Sequence, residues 1–429
     1  MKWLISKILA GVFLLAVLVI GMVLLLVDTS PAIEGVDNSL QEDMVLARSV
    51  VQLNNRTVEQ DDGITQLQFT TEELQAAAAW LLRDVPGTRI SFTSEGDSVK
   101  LAFTYGFDLV GREFYLNSEA TIIPDRQEPE ITGMQFGSLS LNGDLGNTLA
   151  GLIYEKARDR VPELAQIEEA VDYVNLQGNT LYIGLRRNEA FEQTLYERGS
   201  EYYLQPGLRE RMLVQAGRLD QILDSMQDRR TLPVAELMAA MMKQAADSGA
   251  DPVEENRAII LVLSSYMMRI DLNKVLGLAD DSRLTLRRIR LTAANRLDYA
   301  QHFLGSAGLT LSAGNEMAQL LALAKEIDDT SSGGSGFSFT DLGADRAGSN
   351  FAELAVASSE QALFIQQRLG QSPGESWFLP DLNGLPEYMT DQEMQERFGG
   401  VEGPQFNAVM EELEARLSRI PMTLELQAF

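Results

Sequence analysis

Twenty consecutive residues, Ile8 to Val27, carry no charge and read ILAGVFLLAVLVIGMVLLLV. No other feature limits the possible folds as strongly. At about 1.5 Å per residue, a helix of this length crosses a hydrocarbon core of about 30 Å. Lys2 and Lys7 precede the run, and Asp28 and Glu34 follow it. This asymmetry predicts residues 1–7 as a cytoplasmic tail and residues 8–27 as a single transmembrane helix of the inner membrane, with the bulk of the chain periplasmic. A cleaved leader is the rival reading, with Ser30-Pro31-Ala32 as a loose small-x-small site. The run is longer than the apolar core of an ordinary leader, and Pro31 adjoins the cut, so a retained signal-anchor is the stronger expectation.

Composition then removes several kinds of chemistry. The chain has no Cys, which excludes disulfides, thiolate nucleophiles, iron–sulfur clusters and thiolate zinc sites. It has one His, so a cage of histidines is excluded as well. The 35 Lys+Arg against 62 Asp+Glu leave a net charge of −27, which argues against a nucleic-acid partner. With 45% hydrophobic residues the chain has enough apolar surface to fold as a globular protein.

The pattern beyond the anchor changes twice. Residues 28–64 read as a polar juxtamembrane linker with a helix around Met44, Leu46 and Val50. Residues 65–190 read as an α+β domain with an antiparallel sheet. Thr70 and Glu73 form a capping box for a helix running to about Arg83, closed by Pro86-Gly87. Val99, Leu101, Phe103, Tyr105, Phe107 and Leu109 alternate with Lys100, Ala102, Thr104, Gly106 and Asp108, the period of a half-buried strand. Gly96-Asp97 predicts its hairpin with Ile90–Thr93. Strands over 114–122 and 131–141 follow, then a helix over 145–160, a short helix over 167–173 and a hairpin at Gly178-Asn179. From residue 191 to 429 the period becomes helical, which predicts a larger all-α domain. In that domain the Met238, Met241 and Met242 stripe is read as core filler. Phe351–Gly370 is read as one helix, Trp377 and Phe378 as a clamp for a Pro/Gly loop, and Met422–Phe429 as an edge strand or tail. Thr285–Leu291 is the main basic cluster. It is read as solvated or paired with acidic surface, with contact to anionic lipid or glycan as the rarer alternative.

The Phe69-Thr70-Thr71-Glu72-Glu73-Leu74 helix, twisted sheet and terminal strand resemble, in order, the YpmS-like exported proteins. The resemblance implies a sheet able to hold lipid, with the aromatic face lining an apolar groove. Packing of Phe103, Tyr105 and Phe107 against the helices is the simpler expectation.

The only His lies in Asp298-Tyr299-Ala300-Gln301-His302-Phe303-Leu304-Gly305-Ser306. Spacing of four puts Asp298, His302 and Ser306 on one helix face. A second helix, 315–329, carries Glu326 and Asp329 on one face. After a Gly/Ser turn, Ser338 caps a third helix with Asp341 closing the box; Asp345 lies one turn on, and Gly348 permits close packing. Short turns make the three helices neighbours, so their polar faces are expected to converge. Such a cluster stays buried only with pairing, water or a metal.

The series from Asp298 through His302, Phe303 and Ser306, Lys325, Glu326 and Asp329, and Gly336, Phe337, Ser338, Asp341, Asp345 and Gly348 resembles that of YfiM-like envelope proteins. More loosely, it resembles that of VanZ-like membrane proteins. The chain departs from the first in lacking a lipobox Cys and in the length that precedes the motif. It departs from the second in having a single apolar run. The resemblance implies an envelope location and a Gram-negative host, and carries no established reaction.

Three readings of the motif remain open. One is a divalent-metal site for Zn, Mn or Fe, with His302, Glu326, Asp329, Asp341 and Asp345 as ligands. The second is metal-free catalysis, with His302 as a base oriented by Asp298 and Ser306 as nucleophile. The third is a structural or ligand-binding network. The leading functional expectation is a non-enzymatic envelope protein that binds or scaffolds at the membrane surface, with an envelope protein, lipid or glycan as partner. The alternative is a metal-dependent hydrolase of an envelope lipid or glycan.

Overall fold

The computed structural model describes residues 26–33, 39–59, 63–83, 85–109, 111–124, 130–160, 168–186, 206–278, 282–330, 334–401 and 403–427. The apolar run lies outside these residues apart from Leu26 and Val27. Among the described residues no helix is long and apolar enough to cross a membrane. The fold is α+β with antiparallel sheets and many helices, and the chain divides into two compact units, Met1–Phe191 and Glu192–Phe429.

The first unit contains two sheets. Strands β1 (Val27–Asp28), β4 (Thr88–Glu95), β5 (Ser98–Leu109), β6 (Arg112–Ile123), β7 (Glu130–Phe136) and β8 (Leu139–Asn142) form one, in the order β4-β5-β6-β7-β8. β1 pairs with the half of β6 that β7 leaves free, Val27 opposite Leu116. Strands β2 (Val58–Glu59), β3 (Ile64–Thr70), β9 (Val171–Gln177) and β10 (Thr180–Arg186) form the other, in the order β2-β3-β10-β9. Helices α1 (Ser39–Arg56) and α2 (Thr71–Leu82) pack together, and α3 (Gly143–Arg160) lies on β7. The capping box of Thr70 and Glu73 is present. So are the tight turns joining Glu95 to Ser98 and Gln177 to Thr180.

Several local expectations change. The segment read as a linker belongs to this unit: α1 buries Ala47, and residues 28–33 lie over one face of the sheet. There Ile33 N–H donates to Thr104 Oγ1 at 3.3 Å, Ala32 N–H to Asn117 Oδ1 at 2.9 Å, and Asn117 Nδ2 to Asp28 Oδ2 at 2.8 Å. Thr104, on the polar side of the period-2 pattern, is therefore 0% exposed, whereas Tyr105 is 37% and Leu116 41% exposed. Hydrogen bonding to the preceding chain covers the polar face, and the aromatic face is half-open. The single strand expected over 131–141 is two, β7 and β8, turned at Gly137 with φ +53. Val171–Tyr173, read as helical, begins β9.

The second unit is helical around one core. Helix α4 (Pro206–Ser225) is followed by α5 (Val234–Ser248), α6 (Pro252–Met267) and the short α7 (Leu272–Val275). Then come α8 (Leu297–Ala313), α9 (Asn315–Asp328), α10 (Phe339–Val356) and α11 (Ser359–Gly370). Helices α12 (Asp391–Phe398), α13 (Pro404–Leu417) and α14 (Pro421–Leu426) complete it. It is not wholly helical: β11 (Thr231–Pro233) and β12 (Arg290–Thr292) pair in parallel. α6 is central, buried on most of its surface and touching α4, α5, α8, α10 and α11. Glu255 on α6 is buried, and it accepts from Gln215 Nε2 and from Arg211 and Arg218 of α4. Asn256 donates to the carbonyls of Ala355 and Ala362 at 2.8 and 3.1 Å, and so holds the α10–α11 corner.

That corner breaks the single helix expected over 351–370, because Ser358 leaves the helical region and caps α11 through Gln361 N–H. Met238, Met241 and Met242 are core. Trp377 and Phe378 are buried: Trp377 donates to Glu425 Oε2 at 3.1 Å, and Phe378 packs on Phe303 and Phe351. Met422 to Leu426, expected extended, lie in α14, which Pro421 opens.

α8 and α10 make the most extensive helix pair. A Cβ on Gly348 would lie 2.0 Å from the carbonyl oxygen of Phe303. Gly348→Ala must therefore push the two helices apart, and should cost about 1–3 kcal/mol or more. Gly217→Ala on α4, where a Cβ meets nothing within 4 Å, should be neutral or stabilising by about 0.5–1 kcal/mol. Denaturant unfolding of the two variants checks the contrast.

Candidate metal centre

Close approach at Gly348 aligns one turn of α8 with one turn of α10. His302 and Ser306, four apart, both face Asp345. His302 Nδ1 lies 2.9 Å from Asp345 Oδ2, and Ser306 Oγ donates to Asp345 Oδ1 at 2.6 Å. The other imidazole nitrogen, Nε2, is 3.6 Å from Asp341 Oδ2. α9 supplies Glu326, which is 0% exposed. Its Oε1 accepts from Lys325 Nζ at 3.0 Å, and its Oε2 accepts from the backbone N–H of Ser338 at 3.0 Å.

This last bond corrects the expected capping box. Ser338 does cap α10, its Oγ accepting from Asp341 N–H at 3.1 Å. The reciprocal position is filled by Glu326 from a different helix, so the Asp341 side chain is left to face His302. Asp341 Oδ1 is buried and accepts no hydrogen bond among the described residues. A buried carboxylate oxygen without a partner costs roughly 1–3 kcal/mol or more.

Two expected members lie elsewhere. Asp298 is held by the Arg296 fork at 2.6 and 3.1 Å. Arg296 also donates to Glu387 Oε2 and to the Tyr388 hydroxyl, both at 2.7 Å, and lies over the Tyr299 ring. Asp329 takes Lys325 Nζ at 2.7 Å, an ordinary i, i+4 pair. Six carboxylate and imidazole groups were expected together; four meet, and Ser306 joins them. One oxygen or nitrogen from each of His302, Glu326 and Asp345 lies within 4.8 Å of the others, a spacing that a single metal ion can bridge.

The electrostatics follow from burial. Burial alone would lower the basicity of His302, but the charge and hydrogen bond of Asp345, with the charge of Asp341, raise its pKa to about 9. Glu326 is pushed up to about 7 by burial, against the attraction of Lys325. Burial also raises Asp341, partly offset by His302. Burial would raise Asp298, yet Arg296 holds it below the usual carboxylate range. His302 and Glu326 thus bind protons that a cation bridging the same atoms would displace. Ser306 Oγ donates its hydrogen bond to Asp345 rather than to His302, so the serine–imidazole pair of the metal-free catalytic reading is not formed.

Sequence reasoning missed Arg296, Glu387 and Tyr388, because Glu387 is remote along the chain and reaches the site only through the 385–389 loop. That loop is clamped on Phe337 by paired backbone bonds to Met389 of 2.7 and 2.9 Å. It missed Glu255 too, although an acid heading an otherwise apolar helix face was a usable signal. No protein-family model, curated protein or solved structure matches the chain. Function has to be read from the site's own geometry.

A single His gives one imidazole signal in a proton NMR titration of the metal-free protein. Its midpoint should fall near 9, and Asp345→Asn should lower it, since burial is then opposed chiefly by the charge of Asp341.

Proposed function

We propose that this chain is a membrane-anchored envelope protein that acts by binding, and that a divalent cation pins its helical domain at His302, Glu326 and Asp345. The carrying observation is the buried convergence of these three groups from three helices beside the unpartnered Oδ1 of Asp341. One imidazole among carboxylates suits Zn, Mn or Fe. The anchor rests on the apolar run Ile8–Val27 and its basic flank, and the envelope setting on the motif's resemblance to YfiM-like proteins.

The hydrolase alternative asks for the polar groups to border an accessible cavity. Instead, the side chains of His302, Asp341 and Asp345 are 11%, 8% and 8% exposed, and Glu326 is sealed. Asp298 and Asp329 are held in ion pairs with Arg296 and Lys325. A sealed centre favours a structural or binding role over turnover of a bulky envelope substrate.

Elemental analysis of the purified full chain should find close to one equivalent of Zn, Mn or Fe, lost in His302→Ala. Absence of metal after purification without chelator, and again after reloading, would sink the cation assignment. The proton linkage provides a second test. In the metal-free protein, Glu326 and His302 bind protons more tightly folded than unfolded, with pKa values raised from 4.5 to about 7 and from 6.5 to about 9. Their contribution is complete below the unfolded values and is lost as pH rises through 7 and then 9. A cation needs both groups deprotonated, so its binding should release protons, and the rise in Tm that it produces should grow with pH. Differential scanning calorimetry at pH 6 and pH 9, with and without the metal, measures this.

A further inference from the structure

The basic cluster does not do what its composition suggests. In an acidic chain, Arg287, Arg288 and Arg290 are expected to find carboxylates, and among the described residues none does. Arg287 donates to the backbone carbonyls of Gln227 and Arg229. Arg288 donates to the carbonyl of Tyr266 at 2.6 Å and lies over that ring at 5.0 Å, with the rest of its fork unused among the described residues. The side chain of Arg290 is exposed and has no hydrogen-bond partner among the described residues.

Arg269 is equally unpartnered among the described residues, and its backbone is unusual. It follows α6 at φ +59, where Ile270 N–H closes back on the Ser265 carbonyl at 2.9 Å. This is the left-handed position that glycine normally fills at a helix end. A side chain kept there at conformational cost points to a use for that side chain.

These arginines share one groove. Arg269, Arg288 and Arg290 line a space of about 470 Å³ together with Tyr266, Leu297 and Gln301, and among the described residues no carboxylate lines it. Tyr266, Arg269 and Arg288 also border an adjoining space of about 260 Å³ walled by Ile270, Leu272, Leu284 and Leu286. Asp271, the one acid lining it among the described residues, is already engaged by Asn273 and Arg283. Met268 and Ile270 stand exposed on either side of Arg269. A cationic groove continuous with an apolar one complements a molecule with an anionic phosphate at one end and hydrocarbon at the other.

We propose that this groove binds the headgroup and first chain carbons of an anionic phospholipid, with Arg269, Arg288 and Arg290 on the phosphate and the Ile270–Leu286 wall on the chain. The site is separate from the metal centre, and a soluble probe tests it whether or not residues 8–27 are an anchor.

The test is calorimetric titration of the full chain, in neutral maltoside detergent, with dihexanoyl phosphatidylglycerol below its micelle concentration. Dihexanoyl phosphatidylcholine and inorganic phosphate are the comparisons. The phosphatidylglycerol should bind at least about tenfold more tightly than either, and Arg290→Gln should weaken it about tenfold, as expected for one charge-assisted bond. Arg290→Lys should retain most of the affinity. Arg269→Gly should separate fold from function: it relieves the left-handed backbone and raises Tm while weakening binding. Equal binding of phosphatidylcholine, or unchanged binding in the Arg269→Gly/Arg290→Gln pair, would overturn the proposal. Inorganic phosphate binding as tightly as the lipid would overturn the lipid assignment in favour of a free-phosphate site.

Discussion

The contact of Gly348 with the Phe303 carbonyl sets how near α8 and α10 can come, and the helical domain's polar centre depends on that distance. Only with the helices this close does the imidazole of His302 reach Asp345 while Ser306 reaches the other oxygen of the same carboxylate. Aromatic packing surrounds the same contact, since Phe303 lies against Phe351 and Phe378. The apolar core and the buried charges are therefore one arrangement. Loosening the helices would open the core and strand the carboxylates together.

Burial gives the cluster its chemistry. A carboxylate or imidazole in water keeps its ordinary proton affinity, whereas here burial raises Glu326 and Asp341, and the neighbouring carboxylates raise His302 against its own burial. His302 and Glu326 are raised to about 9 and about 7, Asp341 is raised by burial, and Asp341 Oδ1 has no hydrogen-bond donor among the described residues. A divalent cation answers both conditions. The groove on the opposite side of the charge balance follows the same logic: arginines unmatched by acids among the described residues, in a chain of net charge −27, mark a surface kept for an anion from outside.

Much of the organisation was legible in one dimension. Thr70 with Glu73 announces a helix start because a cap's hydrogen bonds span three residues. The alternation from Val99 to Leu109 announces β5, although which face would be covered was not legible, because Asp28 to Ile33 cover Thr104 through contacts some seventy residues distant along the chain. The break at Ser358 was missed because Asn256, on another helix, supplies the donor that stabilises it.

At the centre, helical spacing by itself put His302 with Ser306 and Asp341 with Asp345, since residues four apart share a face in any α-helix. It also put Asp298 beside His302 and Asp329 beside Glu326, and those pairings fail. Arg296 and Lys325 stand closer to them, and an ion pair made within a turn costs little chain entropy. Tertiary structure alone decided that Glu326, rather than Asp341, completes the cap at Ser338. The same holds for the seating of Arg269 beside Arg288 and Arg290. The sequence specifies faces and turns, because those depend on neighbours. Which faces meet depends on packing between distant segments, and charge partners are chosen only after that packing is made.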